Sequence, residues 1–250
     1  MAKNAEELLI NLFDEILPEH GMNLRVKQKE LALEMLRALQ ENKLALCEAE
    51  VGTGKTHAYI LALTVYNIYL GRKVPAVIST STIALQKALT EEYIPQISGI
   101  LLEHHVIDKP LSFVVRKGKR HYVCDSRLKI YETAIINLQR EADADLILEL
   151  ERLGENGDDR IDLDDASLTP YVKGRINVFH CNRSCPYSVL CRFMNFKKKC
   201  MTGSFDFQIT NHNYILADLI GQKQGRKSLF PGSKELFDAV QAVNEKRAQE

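Results

Sequence analysis

Ala49-Glu-Val-Gly-Thr-Gly-Lys55-Thr56 is the stretch that decides how this chain folds. The run before it, Lys43-Leu-Ala-Leu-Cys47, is short and apolar, which predicts a buried parallel strand. Gly52 and Gly54 let the backbone turn so that successive N–H groups face inward, a cradle for phosphate oxygens. Val51 and Thr53 complete the loop, and Lys55 is placed to reach the β- and γ-phosphates of a nucleotide. The Thr56 hydroxyl is placed to ligate Mg²⁺. From His57 the apolar run Ala-Tyr-Ile-Leu-Ala-Leu continues as a helix whose positive N-terminal end faces the anion.

Working outward, the pattern alternates between helix and strand. Leu8, Leu9, Leu12, Phe13, Ile16 and Leu17 fall at helical spacing over 5–17, with Pro18 as the stop, and a second amphipathic helix covers about 26–40. After the loop, the helix runs to Gly71. Val74-Pro-Ala-Val-Ile-Ser predicts the next strand, Thr82 to Glu92 a helix, and Leu111-Ser-Phe-Val-Val another strand. The alternation predicts an α/β fold built on a parallel sheet with helices on both faces. It breaks at Lys117-Gly-Lys. From there to Cys200 the sequence reads as an insertion, with helices near 126–140 and 142–153 and a linker at Gly154-Glu-Asn-Gly-Asp-Asp. Phe205-Asp-Phe-Gln-Ile-Thr returns to the sheet. The resulting division is 1–117, 118–200, 201–231, and a terminal helix over 232–250 after a junction at Pro231-Gly232-Ser233.

The 250 residues carry 33 basic and 33 acidic side chains, a neutral total that hides a strong asymmetry. Residues 141–165 hold eleven acids and two bases, whereas 171–200 hold seven bases and no acid. Arg116 to Lys129 is basic as well, so positive charge is concentrated around cysteines. The first residues have no apolar signal core and no stretch is long enough to span a membrane, which predicts a cytoplasmic location. There thiols stay reduced, and clustered cysteines point to metal rather than disulfides. Cys47, within the predicted strand, reads as a packed core thiol.

Cys124, Cys181, Cys185 and Cys191 are the candidate ligands. Four thiolates suit an iron–sulfur cluster, with zinc as the alternative. Spacings of three and five intervening residues, with one distant cysteine, do not match the paired hairpins of a zinc ribbon. Cys200, beyond Lys197-Lys-Lys, is a spare thiol ranked below these four.

These segments, in this order, resemble a DinG-type helicase of the iron–sulfur branch of superfamily 2 that includes XPD, over about residues 22–230. Arg25-Val-Lys-Gln28 resembles the adenine-reading Q motif. Glu48-Ala-Glu-Val-Gly-Thr-Gly-Lys-Thr resembles the first helicase motif, in the relaxed form with Ala49 in place of glycine. Ser79-Thr-Ser-Thr-Ile-Ala-Leu-Gln86 resembles the DNA-contacting motif. Lys117-Gly-Lys-Arg-His-Tyr-Val-Cys124 resembles the segment with the first cluster cysteine, and Ile209-Thr-Asn-His-Asn-Tyr-Ile-Leu-Ala-Asp218 the segment that leads to Walker B.

The resemblance implies a RecA-like P-loop domain interrupted by a small, mainly helical iron–sulfur insertion. It implies ATP, Mg²⁺ and a [4Fe–4S] cluster as cofactors, single-stranded DNA as partner, 5′-to-3′ movement, a role in DNA repair and no membrane, with a monomer favoured. Arg25 and Gln28 would read adenine. Thr80, Thr82 and Gln86 would meet phosphates of a single strand, Lys119, Arg120 and Arg192 would track its backbone, and Tyr122 and Phe193 would offer stacking faces. Asn211 and His212 would support the nucleotide site or the cluster domain.

Parts of the family pattern are missing. After Asp218 the sequence has no Asp-Glu-Ala-His, and no second motor domain with its arginine finger. Nothing then positions the attacking water or backs the Mg²⁺. The expectation is a fragment or internally shortened form of a helicase that does not turn over alone. The alternative is a single-stranded DNA-binding metal-cluster module without hydrolysis.

Overall fold

The structure is a computed structural model that describes residues 4–23, 25–137, 144–155, 161–181, 185, 187–202, 204–230 and 233–247. The chain divides into two compact units, Met1–Val115 with Ser204–Glu250, and Arg116–Gly203.

The first unit opens with α1 (Ala5–Asn11), a wide π-turn over Leu12–Ile16, and α2 (Leu17–Glu19). Pro18 therefore does not stop the helix. Having no N–H and crowding the preceding turn, it follows a turn that has widened. The same device recurs where α5 (Ile83–Ala88) passes through a π-turn at Leu89–Tyr93 into α6 (Ile94–Glu103), whose second residue is Pro95. Between them lie α3 (Val26–Gln40) and α4 (Lys55–Leu70), the latter closed by Gly71 at φ +60°.

Three strands form the sheet: β1 (Ala76–Thr80), β2 (Phe113–Arg116) and β3 (Phe207–Asn211). Their order is β1-β3-β2, and β1 runs parallel to β3 with Ile78 opposite Ile209 and Thr80 opposite Asn211. Asp206 ties the start of β3 to its surroundings, accepting from the Ser112 backbone N–H at 2.7 Å and from Lys73 Nζ at 2.9 Å. Leu9, Phe13, Leu36, Ile60, Leu61, Ile97, Phe207 and Ile209 form one buried core. Each such side chain contributes about 1.5–3 kcal/mol.

The predicted strand Lys43–Cys47 is absent. Residues 43–50 form neither helix nor strand, Leu46 is 59% exposed and Cys47 is exposed. A parallel strand must bond a neighbour through its backbone groups, and among the described residues β1 pairs with β3 alone. Cys47 is thus a surface thiol here, not a core one.

In the second unit, α7 (Asp125–Asn137), α8 (Ala144–Glu155), α9 (Pro170–Ile176) and α10 (Arg192–Thr202) surround a separate core that includes Tyr122, Val123, Leu150, Ile176 and Phe193. The predicted linker begins inside α8, and its residues 156–159 lie outside the described residues. Chain return to the first unit gives β3, then α11 (His212–Lys223) and α12 (Ser233–Arg247). Asp218, buried, accepts from the Leu229 N–H at 3.1 Å and so folds the segment after α11 back onto it. Of the predicted junction, Pro231 and Gly232 lie outside the described residues.

Candidate nucleotide and nucleic-acid site

The loop at 49–56 has the backbone its glycines allow. Gly52 and Gly54 sit at φ +87° and +86°, where side chains are strained. Gly54 is the N-cap of α4, so the sixteen-residue helix starts at Lys55. Lys55 Nζ donates to the carbonyl oxygens of Ala49 and Glu50 at 2.6 and 2.8 Å. Its ammonium is therefore held over the loop by ligands of the kind phosphate oxygens would replace. Val51 is almost wholly exposed at the tip, and Thr53 donates to Glu50 O at 2.7 Å.

Arg25 and Gln28 reach the same loop. Arg25 Nη1 donates to Gly52 O, and Gln28 Nε2 donates to Gly54 O at 2.8 Å. A Cβ on Gly54 would stand 2.0 Å from Gln28 Nε2 and displace that flexible amide from the loop, while the dihedral is what demands glycine. Beside them is a cavity of about 260 Å³ lined by residues that include Phe13, Arg25, Gln28, Gly54, His57 and Gln96. Its walls combine apolar carbon with amide, guanidinium and imidazole groups, the mixture a nucleobase requires. Burial lowers the pKa of His57 and the nearby Arg25 charge lowers it further, while Gln96 opposes the shift. Burial raises that of Tyr59, against a hydrogen bond with Thr56.

The residues expected at the DNA-contacting strand end are arranged differently from expectation. Thr80 is buried and its Oγ1 donates to Thr82 O at 3.0 Å, while Thr82 Oγ1 accepts from the Leu85 N–H at 3.2 Å as the cap of α5. Gln86 is only 2% exposed, and neither amide atom has a hydrogen-bond partner among the described residues. Thr80 and Gln86 are withdrawn from the surface, whereas Thr82 is exposed and its hydroxyl acts as an acceptor. Sequence reasoning gave less weight to His212, whose Nδ1 lies 2.7 Å from Ser79 Oγ at the same strand ends. The missing signal was register: Ser79 and His212 are 133 residues apart and meet only because β1 and β3 are neighbours.

In the second unit, Cys124 is fixed by backbone bonds. Its N–H donates to Ile176 O at 2.7 Å, the Val178 N–H to Tyr122 O at 3.0 Å, and the Cys181 N–H to Val178 O at 3.0 Å. Cys124 and Cys181 pack against the core that contains Cys191. Burial pushes the Cys124 thiol up, backbone N–H groups of Arg127 and Ser126 oppose this, and the neighbouring Cys191 pushes it further up. The donor set is right for a soft metal, and two of its thiols are electrostatic neighbours. Among the described residues, however, no three His, Cys, Asp or Glu side chains are grouped to hold a metal ion. Cys185 is described without most of its loop. Cys200 is buried, and burial raises its thiol pKa.

Lys119 and Arg120 are exposed, and the Arg120 guanidinium lies 4.3 Å above the Phe179 ring. Arg192 is bound to Asp125. Tyr122 and Phe193, expected to offer stacking faces, are buried, with ring centroids 5.3 Å apart, and Phe196 packs on Tyr122 from 5.1 Å. The Tyr122 hydroxyl accepts from the Lys117 N–H at 2.8 Å. These aromatics build the core of a small unit, which needs every large apolar side chain it has.

The chain is similar in sequence to known helicases. The chain is 27% identical over 216 residues to the ATP-dependent DNA helicase YoaA of Escherichia coli, a match covering 84% of this chain and 32% of that protein. It is 26% identical over 231 residues to the ATP-dependent DNA helicase DinG of Photobacterium profundum, covering 87% and 32%. Over 133 residues it is 35% identical to the probable ATP-dependent helicase YpvA of Bacillus subtilis, covering 51% and 20%.

The chain is a relative of the DinG-type helicases.

It spans about a third, or less, of the length of these DinG-type relatives. No family model matches it. Among the described residues no helix is long and apolar enough to cross a membrane.

Proposed function

We propose that this chain is the nucleotide-binding and metal-cluster part of an ATP-dependent DNA helicase. The reading takes the first unit as RecA-like and the segment 118–200 as an iron–sulfur insertion. The observation that carries it is the loop from Ala49 to Thr56. Two left-handed glycines open a long helix at Lys55, and two side chains from α3 and its N-cap, Gln28 and Arg25, grip the glycine carbonyls beside a base-sized cavity.

In this reading adenine lies in the cavity near Gln28 and Arg25. Phosphate oxygens take over Lys55 from the Ala49 and Glu50 carbonyls, and Thr56 ligates Mg²⁺. Helix α4 points its positive end at the phosphates. Cys124, Cys181, Cys185 and Cys191 would hold a [4Fe–4S] cluster, whose contribution when bound is to cross-link segments far apart in sequence. Lys119 and Arg120 are the exposed cations that would follow a single strand. With no Asp-Glu-Ala-His in the sequence, the chain alone binds nucleotide without turnover.

The test is binding of a fluorescent ATP analogue with Mg²⁺ to the wild-type chain and to Lys55→Ala. Loss of about tenfold or more in affinity supports the reading, since a charged contact to phosphate is removed. Equal affinity of the two proteins sinks it.

A further inference from the structure

We propose that His212 is a contact to the sugar–phosphate backbone of a single nucleic-acid strand and that Ser79 holds it in place. This inference rests on the reading of the chain as part of a DNA helicase. Ser79 is the fourth residue of β1, and His212 follows directly after β3. The parallel register sets Ser79 opposite Thr210 and Thr80 opposite Asn211, so the two strands end at one level and bring Ser79 Oγ within 2.7 Å of His212 Nδ1. The imidazole itself is exposed. Ligands of open α/β sheets gather outside the carboxyl ends of the strands, which is where this pair lies.

Of the residues expected to meet a strand here, Thr80 is bonded within the turn and Gln86 is enclosed, while Thr82 is exposed and its hydroxyl accepts from the Leu85 N–H. With Nδ1 engaged by Ser79, the donor that His212 has left for a ligand is Nε2. The serine hydroxyl suits either charge state of the ring. It donates to Nδ1 when the imidazole is neutral with its proton on Nε2, and accepts from Nδ1–H in the imidazolium. In both states Nε2–H points a donor at an anion, and a phosphate oxygen is an acceptor of that kind. Helix α11 starts at His212, capped by the Asn211 side chain accepting from the Tyr214 N–H at 2.7 Å, so its positive end adds to the same potential.

The experiment is fluorescence anisotropy with labelled oligothymidylate on the 250-residue chain, comparing wild type, His212→Ala, His212→Gln and Ser79→Ala, with melting curves for each. His212→Ala should weaken binding about 3–10-fold, the value of one hydrogen bond. Ser79→Ala should lose less. His212→Gln, whose amide N–H₂ reaches near the Nε2 position, should recover part of the loss. Absence of binding by the wild type sinks the DNA-binding reading itself. Binding by the wild type with equal affinity for His212→Ala overturns the inference alone. Loss that tracks a lowered melting temperature, with no rescue in His212→Gln, assigns His212 to the fold and overturns it as well.

Discussion

Asp125 and Arg192 lie next to Cys124 and Cys191 in the sequence and are joined by a salt bridge of 2.6 Å. Asp125 Oδ2 also accepts from the Arg192 backbone N–H at 3.0 Å, and Oδ1 from Arg192 Nε at 2.7 Å. One carboxylate thus holds both the side chain and the backbone of the residue after Cys191. Arg192 is mostly buried here, with 12% of its side chain exposed. It works as a clasp between two cysteine-bearing segments rather than as a free cation for DNA.

Asp125→Ala removes three contacts and leaves a mostly buried guanidinium without its carboxylate. The expected cost is about 1.5–3 kcal/mol, the range for hydrogen bonds to charged groups. Chemical denaturation of the second unit, followed by tyrosine fluorescence, reads it. An unchanged midpoint would show that the clasp is slack in solution.

Cys124→Ser, Cys181→Ser, Cys185→Ser and Cys191→Ser should each lose iron from anaerobically purified protein, measured as iron and sulfide per chain. Cys47→Ser should keep it, because Cys47 is a surface thiol of the first unit. Stoichiometric zinc without iron would reject the cluster and retain the site. Iron retained in Cys191→Ser but lost in Cys200→Ser would make Cys200 the fourth ligand.

How much of this was readable in the sequence depends on what fixes each residue. Helices α3 and α4 follow from local periodicity and from glycines at loop and cap, so they appear where the pattern puts them. The segment Lys43–Cys47 has the composition of a buried strand, but strand formation depends on a neighbour that composition does not reveal. Gln86 shows the same limit: a polar residue at a helix start reads as surface, and only tertiary packing encloses it. An aromatic ring suits core and contact alike, so sequence does not distinguish the two for Tyr122 and Phe193, and both are buried in the core.

Lys117 is buried between Asp162 and Asp164, and His121 Nδ1 lies 2.9 Å from Asp164. For Asp164, burial alone would raise the pKa, but His121 and Lys117 hold it well below the ordinary carboxylate range. A carboxylate depressed in the folded state contributes stability that is present above its unfolded pKa and is lost as pH falls through the folded one. For Lys117, burial works against the charge, and Asp162 and Asp164 outweigh it to raise the pKa. That contribution is complete below the unfolded lysine pKa and is lost only as pH rises through the folded value, far from neutrality. The second unit should therefore lose stability below about pH 4, and Asp164→Asn should flatten that loss while lowering stability at neutral pH. Equal acid slopes for the two proteins would mean that Asp164 is not depressed.

The final prediction concerns how the chain meets a single strand. Its net charge is zero, yet Lys119 and Arg120 are exposed and the second unit carries a further run of exposed lysines at Lys197, Lys198 and Lys199. Neutralised phosphates release counterions, so binding should be independent of sequence and fall steeply with salt. Replacing Lys119 and Arg120 together by Ala should make the plot of log affinity against log salt shallower by about 1–2 units. His212→Ala should weaken binding without changing that slope if the contacting imidazole is neutral, because a neutral donor displaces no counterion. A charged imidazolium would steepen the wild-type slope, and His212→Ala would then lose up to about one unit. Measuring both variants across a salt series separates cations that follow the phosphates from a hydrogen bond that fixes one of them. Unaltered slope and affinity in the Lys119/Arg120 double variant would show these cations to be ordinary solvated surface.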